Sequence, residues 1–449
     1  MDFKVGDILE GEIVDFTYEG KGVIKIDRFI IFVIGGVIGD KVSFKVTNIR
    51  KNFAEGEVVE VLEPSEDRTE EELEIKEARS GMPLVEYDYE KGLEWKREKV
   101  QRDIEKIAKI DDIQVKEVLG MDEPYRYRNN VQIAVGEEKG ETVVGFYELG
   151  THDIVDMEES ILISEKANEV LKAIRTWIDD NDVQPYNKKT GKGDLRYIGL
   201  RSNNEDEIMV IMVTGNPGMP HKYKLIEVLE DKGVVSIYQN INHTKGPKTY
   251  GKEYKLLWGE ESIKDNVGKY EFKISPNSFL QINRTQVEVL YDKVMEFLQA
   301  GKDERIVDLY SGIGTISMYI AEKAKEVIAI ESVGQAVEDA KHNADLNDIE
   351  NISFTKARAE VLFPKLAADE LYIDKIVLDP PRKGCKEEVL DGILEANSER
   401  IVYVSCNSAT LARDIKHLTE NGYKLKEVQP VDMFPHTSQI EVVTLLVRE

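Results

Sequence analysis

The chain has 449 residues, enough for two or three domains with separate cores. Hydrophobic residues make up 41% and charged residues 33%, with no Gly/Ser-rich or Pro-rich tract, which excludes a disordered or fibrous chain. A formal net charge of -26 argues, taken as a sum, against a polyanionic partner, and only segregated basic residues can restore that option.

The first residues, Met1 to Asp7, hold no apolar stretch of signal-peptide length, and the longest apolar run, Phe29 to Gly39, is too short to span a bilayer. A cytoplasmic protein without a membrane partner is therefore expected. Residues 1–62 read as five short β segments, Asp7 to Phe16, Lys21 to Ile26, Phe29 to Ile34, Lys41 to Asn48 and Glu57 to Leu62. Glycines at 20, 22, 35, 36 and 39 stand where tight hairpins need positive φ, so a small closed barrel is favoured, a shape that often binds oligonucleotides. Residues 55–77 hold eleven carboxylates against Arg68 and Lys76 and read as a linker or a solvated helix.

Leu93 to Ile110 has apolar residues at helical spacing amid charges and predicts an amphipathic helix. From Tyr125 to Trp258 strand-like runs (Asn130 to Ala134, Val143 to Tyr147, Ile208 to Val213) mix with helical ones (Ile161 to Asp179, Tyr223 to Lys232), which predicts a central α+β region spanning 75–270. Its basic islands, Arg126 and Arg128, then Lys188, Lys189, Lys192, Arg196 and Arg201, then Lys245, Lys248 and Lys252, are either solvated faces or contacts for an anionic polymer.

Beyond residue 270 strands and helices alternate, which implies an α/β domain over 271–449 with a mostly parallel sheet and a ligand site beyond the carboxyl ends of its strands. Ile306 to Gly314 is an apolar strand ending in Asp308 and a Gly312-Ile313-Gly314 turn that opens a helix. A pyrophosphate cradle would place a third glycine where Ser317 stands. Glu331 closes the next strand at the spacing of a ribose-binding acid, and Asp308 with Glu331 suits S-adenosylmethionine, whose cationic groups favour carboxylates.

Lys375 to Gly384 is a buried-type strand running into Asp379-Pro380-Pro381-Arg382, a rigid turn able to present Asp379 to a cofactor or to a planar substrate. Ile401 to Asn407 ends in Cys406, a thiol at a strand's carboxyl end that can serve as a nucleophile once ionised. Cys385 reads as structural. With these two cysteines alone, neither a disulfide framework nor a four-thiolate metal site is available. Glu441 opens the last strand after Phe434-Pro435-His436-Thr437, either solvated or placed for proton transfer.

Together these motifs resemble the bacterial RNA 5-methyluridine methyltransferase family, most closely its 23S rRNA (uracil-5-)-methyltransferases, over nearly the whole chain. Ser405-Cys406-Asn407 with Ala409 to Asp414, the Asp379-Pro380-Pro381-Arg382 turn, Phe434 to Thr437 with Glu441, and Phe279 to Asn283 carry the likeness. The resemblance implies a Rossmann-like class I methyltransferase domain behind an OB-like TRAM barrel and a central RNA-binding region. It implies S-adenosylmethionine contacts at Gln281, Tyr310, Glu331 and Asp379, with Asp308, Gly312 and Gly314 beside them. Cys406 becomes the nucleophile, Glu441 the base, and Arg126, Arg128 and Asn129 RNA contacts. Many relatives hold an iron-sulfur cluster on four cysteines; here the resemblance puts Arg79 and Met82 at two of those positions and Ser160 near the fourth, so no metal is expected and packing must take its place. The expected partner is 23S rRNA, with no stable protein partner. Transfer RNA as substrate, a cytosine-5 methyltransferase and a noncatalytic RNA-binding or ribosome-assembly protein remain alternatives.

Overall fold

A computed structural model describes residues 3–27, 29–69, 80–369 and 372–449. The greater part of the acidic run after Thr69, and Arg79, lie outside the described residues.

Strands β1 (Ile8–Phe16), β2 (Gly22–Ile26), β3 (Phe29–Ile34), β4 (Lys41–Ile49) and β5 (Phe53–Glu63) close a barrel in the order β1-β2-β3-β5-β4. Alternate side chains, among them Ile13, Ile24, Ile31, Val42 and Phe44, fill its interior. The last strand starts four residues before the expected Glu57 because Phe53 to Glu57 pairs parallel with β3, a long-range pairing invisible to local periodicity.

Helix α1 (Tyr89–Asp103) is capped by Asp88, whose carboxylate accepts from Lys91 N, and runs on as a π-helical turn over Ile104–Ala108. It joins two parts of the molecule: Trp95 Nε1 donates to Asp15 of the barrel at 2.7 Å, while buried Lys96 pairs with buried Asp432 at 2.6 Å.

The central sheet comprises β6 (Asn130–Glu138), β7 (Glu141–Tyr147), β8 (Ile154–Asp156), then helix α2 (Glu165–Asp180), β9 (Leu195–Ser202), β10 (Ile208–Thr214), helix α3 (Lys222–Leu229), β11 (Val234–Ile241) and β12 (Glu253–Gly259). Its order is β12-β11-β10-β9-β6-β7-β8. Helix α2 starts at Glu165 rather than Ile161 because Ser164 caps it, accepting from Ala167 N. Helices α2 and α3 cover one face with Val170, Ile174, Trp177 and Leu225; residues of the other face, Met209, Ile211 and Val213, share a core with the last third of the chain. Met82 is fully buried in the first of these cores, and Ser160 is buried and bonded to Asn168, so both belong to packed interior.

A hairpin of β13 (Ile263–Val267) and β14 (Tyr270–Ile274) straddles residue 270 and docks through backbone N–H groups of Glu271 and Lys273 on Asn347 and Asn343. It thus packs as part of the last domain, while the sequence alone divides the chain within β14.

Then follow α4 (Arg284–Leu298), β15 (Arg305–Leu309), α5 (Thr315–Ala321), β16 (Glu326–Glu331), α6 (Gly334–Leu346), β17 (Ile352–Lys356), α7 (Ala359–Ala368), β18 (Lys375–Leu378), α8 (Glu387–Ala396), β19 (Arg400–Ser405), α9 (Ser408–Thr419), β20 (Tyr423–Val431) and β21 (Glu441–Arg448). The sheet order is β17-β16-β15-β18-β19-β21-β20, parallel through β19, with β21 antiparallel to both neighbours. Helices α4, α5 and α6 pack on one face, and α7, α8, α9 and α1 on the other. The winding direction reverses between β15 and β18, the place where such sheets open a ligand crevice.

Candidate active site

At the carboxyl end of β15 the chain turns through Tyr310, Gly312 and Gly314, all at positive φ. A Cβ on Gly314 would approach Phe354 to 2.9 Å, whereas one on Gly312 would meet nothing within 4 Å, so the backbone there is open to a ligand. Glu331, ending the adjacent β16, is held by the N–H groups of Gly312 at 3.1 Å and Val333 at 2.7 Å. Asp308 is buried and accepts from Ser317 Oγ. Burial raises its carboxyl to about 7, with Asp379 and Glu331 adding to the effect against the Ser317 hydrogen bond. Burial likewise raises Asp379 to about 7. The buried Ser311 Oγ beside the turn has no hydrogen-bond partner. Carboxylates held without a compensating cation, an open glycine backbone and an orphaned hydroxyl fit a cationic nucleoside such as S-adenosylmethionine.

The thiol lies across the switch point. Antiparallel pairing of β19 with β21 reaches Ser405 opposite Val442, which brings Cys406 and Glu441 to the same end of adjacent strands. Cys406 is half-buried and immediately precedes Asn407, which caps α9 by accepting from Ala409 N and Thr410 N, so its sulfur sits near the positive end of a helix. Burial nevertheless raises the thiol to about 11, Glu441 and Asp379 reinforce this, and Arg382 opposes it. Burial, with Asp379, holds Glu441 well above the usual carboxylate range, again against Arg382, and its Oε2 is buried without a partner. The thiol therefore keeps its proton at neutral pH.

Helix α9 fixes the Pro-Pro turn. Thr410 Oγ1 donates to Arg382 O at 3.2 Å, Arg413 donates to Lys383 O and Cys385 O, and Asp414 accepts from Cys385 N and Tyr403 OH. This explains the run Ala409 to Asp414 as a brace for the turn. Cys385 is buried beside Tyr403 and pushed by burial up to about 12, an inert environment that matches the structural role expected of it.

The loop Phe434 to Ser438, just before Glu441, is where the whole chain converges. Lys96 donates to Phe434 O, Tyr127 to Pro435 O, Leu84 N to His436 O, and Ser438 Oγ to Tyr18 O of the barrel. Tyr18 was not singled out from sequence. Its ring lies 5.6 Å from the Arg382 guanidinium, and burial, with Cys406 and Glu441, raises its hydroxyl, so a barrel residue borders the site. The sequence signal was an aromatic residue in the β1–β2 turn, beside Gly20.

Gln281 is held near by a zipper: Asn129 Nδ2 donates to Gln281 O at 3.0 Å, and Asn129 N to Ile282 O at 2.9 Å. Asn129 is buried with its amide engaged, so here it positions that segment rather than facing solvent. Arg126 is partly exposed near Glu165, and Arg128 lies against the Tyr127 ring with Nε buried and unpartnered. Lys188 and Lys189 stand apart from the thiol, at the Leu195 end of β9. Among the described residues no group of three or more His, Cys, Asp or Glu is placed to hold a metal ion, and no helix is long and apolar enough to cross a membrane.

Comparison with known proteins matches residues 88–449 to the family model described as tRNA (uracil-5-)-methyltransferase. The chain is 41% identical over 431 residues to a protein of Clostridium tetani named as an uncharacterized RNA methyltransferase, covering 95% of this chain and 94% of that one. It is 40% identical over 443 residues to a similarly named protein of Halalkalibacterium halodurans, covering 98% and 97%. Among solved structures, the Pyrococcus abyssi tRNA (uracil-54, C5)-methyltransferase in complex with S-adenosyl-L-homocysteine matches at a TM-score of 0.79 and 28% identity, over 98% of this chain and 100% of that one. The open glycine turn flanked by carboxylates, the strand-end thiol and this near-complete likeness place the chain in the tRNA (uracil-5-)-methyltransferase family, as an S-adenosylmethionine-dependent RNA methyltransferase.

Proposed function

We propose that the protein methylates carbon 5 of a uridine in 23S rRNA, with Cys406 as nucleophile and Glu441 as base. The observation that carries this reading is the cross-strand placement of Cys406 and Glu441 beside Asp379 at the switch point of the sheet. Bound S-adenosylmethionine supplies a sulfonium methyl group. Cys406, once its proton passes to solvent, adds to carbon 6 of uracil, and the resulting enolate makes carbon 5 nucleophilic enough to take the methyl group as its bond to the donor sulfur breaks and S-adenosylhomocysteine is left. Glu441, ionised, then removes the carbon 5 proton, the carbon–sulfur bond breaks and the thiolate returns. Arg382, whose charge favours the ionised forms of both residues, helps them reach those states. Gln281, Asp308, Tyr310, Gly312, Gly314, Glu331 and Asp379 form the cofactor side.

In this reading residues 1–62 are a TRAM-like barrel, 75–270 a central RNA-binding region contacting substrate through Arg126, Arg128, Lys188 and Lys189, and 271–449 a Rossmann-like catalytic domain. Asn129 serves by holding Gln281. A target base must leave its stack to reach a half-buried thiol, which favours loops and bulges. Transfer RNA is the second reading, favoured by the Pyrococcus abyssi enzyme, whose match over 98% of this chain means that the barrel alone does not select ribosomal RNA. Mapping 5-methyluridine in both RNAs from cells with and without the protein tests the choice. Loss confined to 23S rRNA is expected; unchanged 23S rRNA with loss in tRNA would establish the second reading.

A further inference from the structure

On the central sheet, away from the thiol, a cleft of about 770 Å³ is lined by Tyr147, Tyr186, Lys188, Arg196, Tyr197 and Lys245, with Lys189 at its rim. Arg196 is 3% exposed, and its Nη1 is held by the carbonyls of Asn242 and Thr244. Its Nε and Nη2 are buried with no hydrogen-bond partner. Its guanidinium lies 5.4 Å from the Tyr186 ring centre and 5.9 Å from that of Tyr197. Lys188 Nζ approaches the same Tyr197, 3.4 Å from its hydroxyl, which in turn meets the Tyr147 hydroxyl at 3.1 Å.

A guanidinium buried without a carboxylate is a large uncompensated desolvation, and such an arrangement persists where an anion is part of the working state. Lys188, Lys189 and Lys245 carry the same sign to the opening, and a concave low-dielectric wall focuses their field. Glu137, on the wall toward β7, is the opposing charge in the lining. The tyrosine faces add what a bare phosphate site lacks, flat platforms on which bases stack with little regard to sequence. The cleft is also on a direct line to the catalytic domain. Strand β9 carries Arg196 and Tyr197 at one end; at the other, Arg201 Nη2 donates to Ser278 O at 2.6 Å, in the segment leading to Gln281. Five residues of extended chain separate the two, about 16 Å.

We infer that this cleft is a second RNA site, which takes a phosphodiester of a single-stranded segment on Arg196, Lys188 and Lys245 and stacks the adjoining base on Tyr186 or Tyr147. It rests on the proposed RNA substrate and fixes the strand that flanks the target loop, so that the uridine reaches Cys406 in register.

The test is direct binding of a fluorescein-labelled single-stranded oligouridylate to the full-length protein across a salt series. The double variant Lys188→Ala/Lys245→Ala removes one half-buried and one exposed charge, and its melting temperature checks that the loss of the Lys188–Tyr197 contact leaves the fold intact. Its affinity should fall about tenfold, and the slope of log affinity against log salt should fall by about 1.4, the value for two phosphate contacts on a single strand. Arg196→Met should weaken binding further, and its melting temperature reports whether the fold survives. Lys172→Ala, at an exposed position of α2 across the sheet, should change neither quantity. Unchanged affinity and slope in the double variant would overturn the proposal, as would saturation of the cleft by inorganic phosphate with no oligouridylate bound. Failure of the proposed chemistry reads out separately: absence of a Cys406–RNA adduct alongside the predicted salt response would remove the mechanism and keep the cleft.

Discussion

At the edge of the last domain's sheet that carries Cys406 the sheet's buried charged side chains are acids, among them Asp308 and Glu441, whereas on β9 of the central sheet they are arginines, Arg196 and Arg201. Both kinds are held against their solvation preference. Burial raises Asp308 to about 7 and holds Glu441 far up, and it pulls Arg201 down. The acids suit a cationic methyl donor and proton transfer; the arginines suit a polyanion. A net charge of -26 is therefore the wrong scale for judging partners, since buried sites of opposite sign coexist within one chain.

The comparison breaks most sharply at Cys406. Cys406→Ala should abolish methyl transfer to RNA, followed with radiolabelled donor, and leave donor and RNA binding near wild type; wild-type turnover would remove the proposed nucleophile. Next in size is the bolt between the halves. Lys96→Met leaves Asp432 buried and short of its cation, still bonded to Tyr89, and should cost about 3–5 kcal/mol in denaturant unfolding.

A smaller effect sharpens the acidic side. Arg382→Gln removes the charge that opposes the rise of Cys406, so the thiol moves above about 11 and the rising limb of the pH–rate profile shifts to higher pH. A profile that stays in place would show that Arg382 does not tune the thiol. Smallest is the effect of pH on the donor. Asp308 and Asp379 ionise around 7, so affinity for the cationic donor should rise several-fold between about pH 6 and about pH 8. The sign for stability is opposite: folded pKa values above the unfolded ones mean that the unliganded protein loses stability as pH climbs through about 7, and added donor should restore it. Calorimetric titration and thermal melts at both pH values measure the two trends.

What the sequence made legible follows from distance along the chain. Asp308 to Gly314, Asp379 to Arg382 and Ser405 to Asn407 each place their chemistry within a few residues of one strand end, so the strand, its turn and its reactive group are read together. Alternating strands and helices likewise foreshadowed the parallel sheet. Tyr18 reaches the site only because the barrel docks on the loop before Glu441, and Lys96 meets Asp432 only once α1 lies on the last domain. The parallel pairing of β5 with β3, and the docking of the β13–β14 hairpin through Asn343 and Asn347, are also products of tertiary packing. The cleft around Arg196 falls between these cases: its basic residues stand out in the sequence, but the rings beside them come from separate strands and loops.

The most direct test of the chemistry is the fate of Glu441→Gln. With the thiol intact and the proton acceptor gone, methyl transfer can proceed while release from carbon 6 slows by about 100- to 10,000-fold. The account predicts a denaturation-resistant protein–RNA band whose cross-linked peptide contains Cys406 and whose uracil carries the new methyl group. Turnover at the wild-type rate with no such band, or a cross-link to another residue, would contradict it.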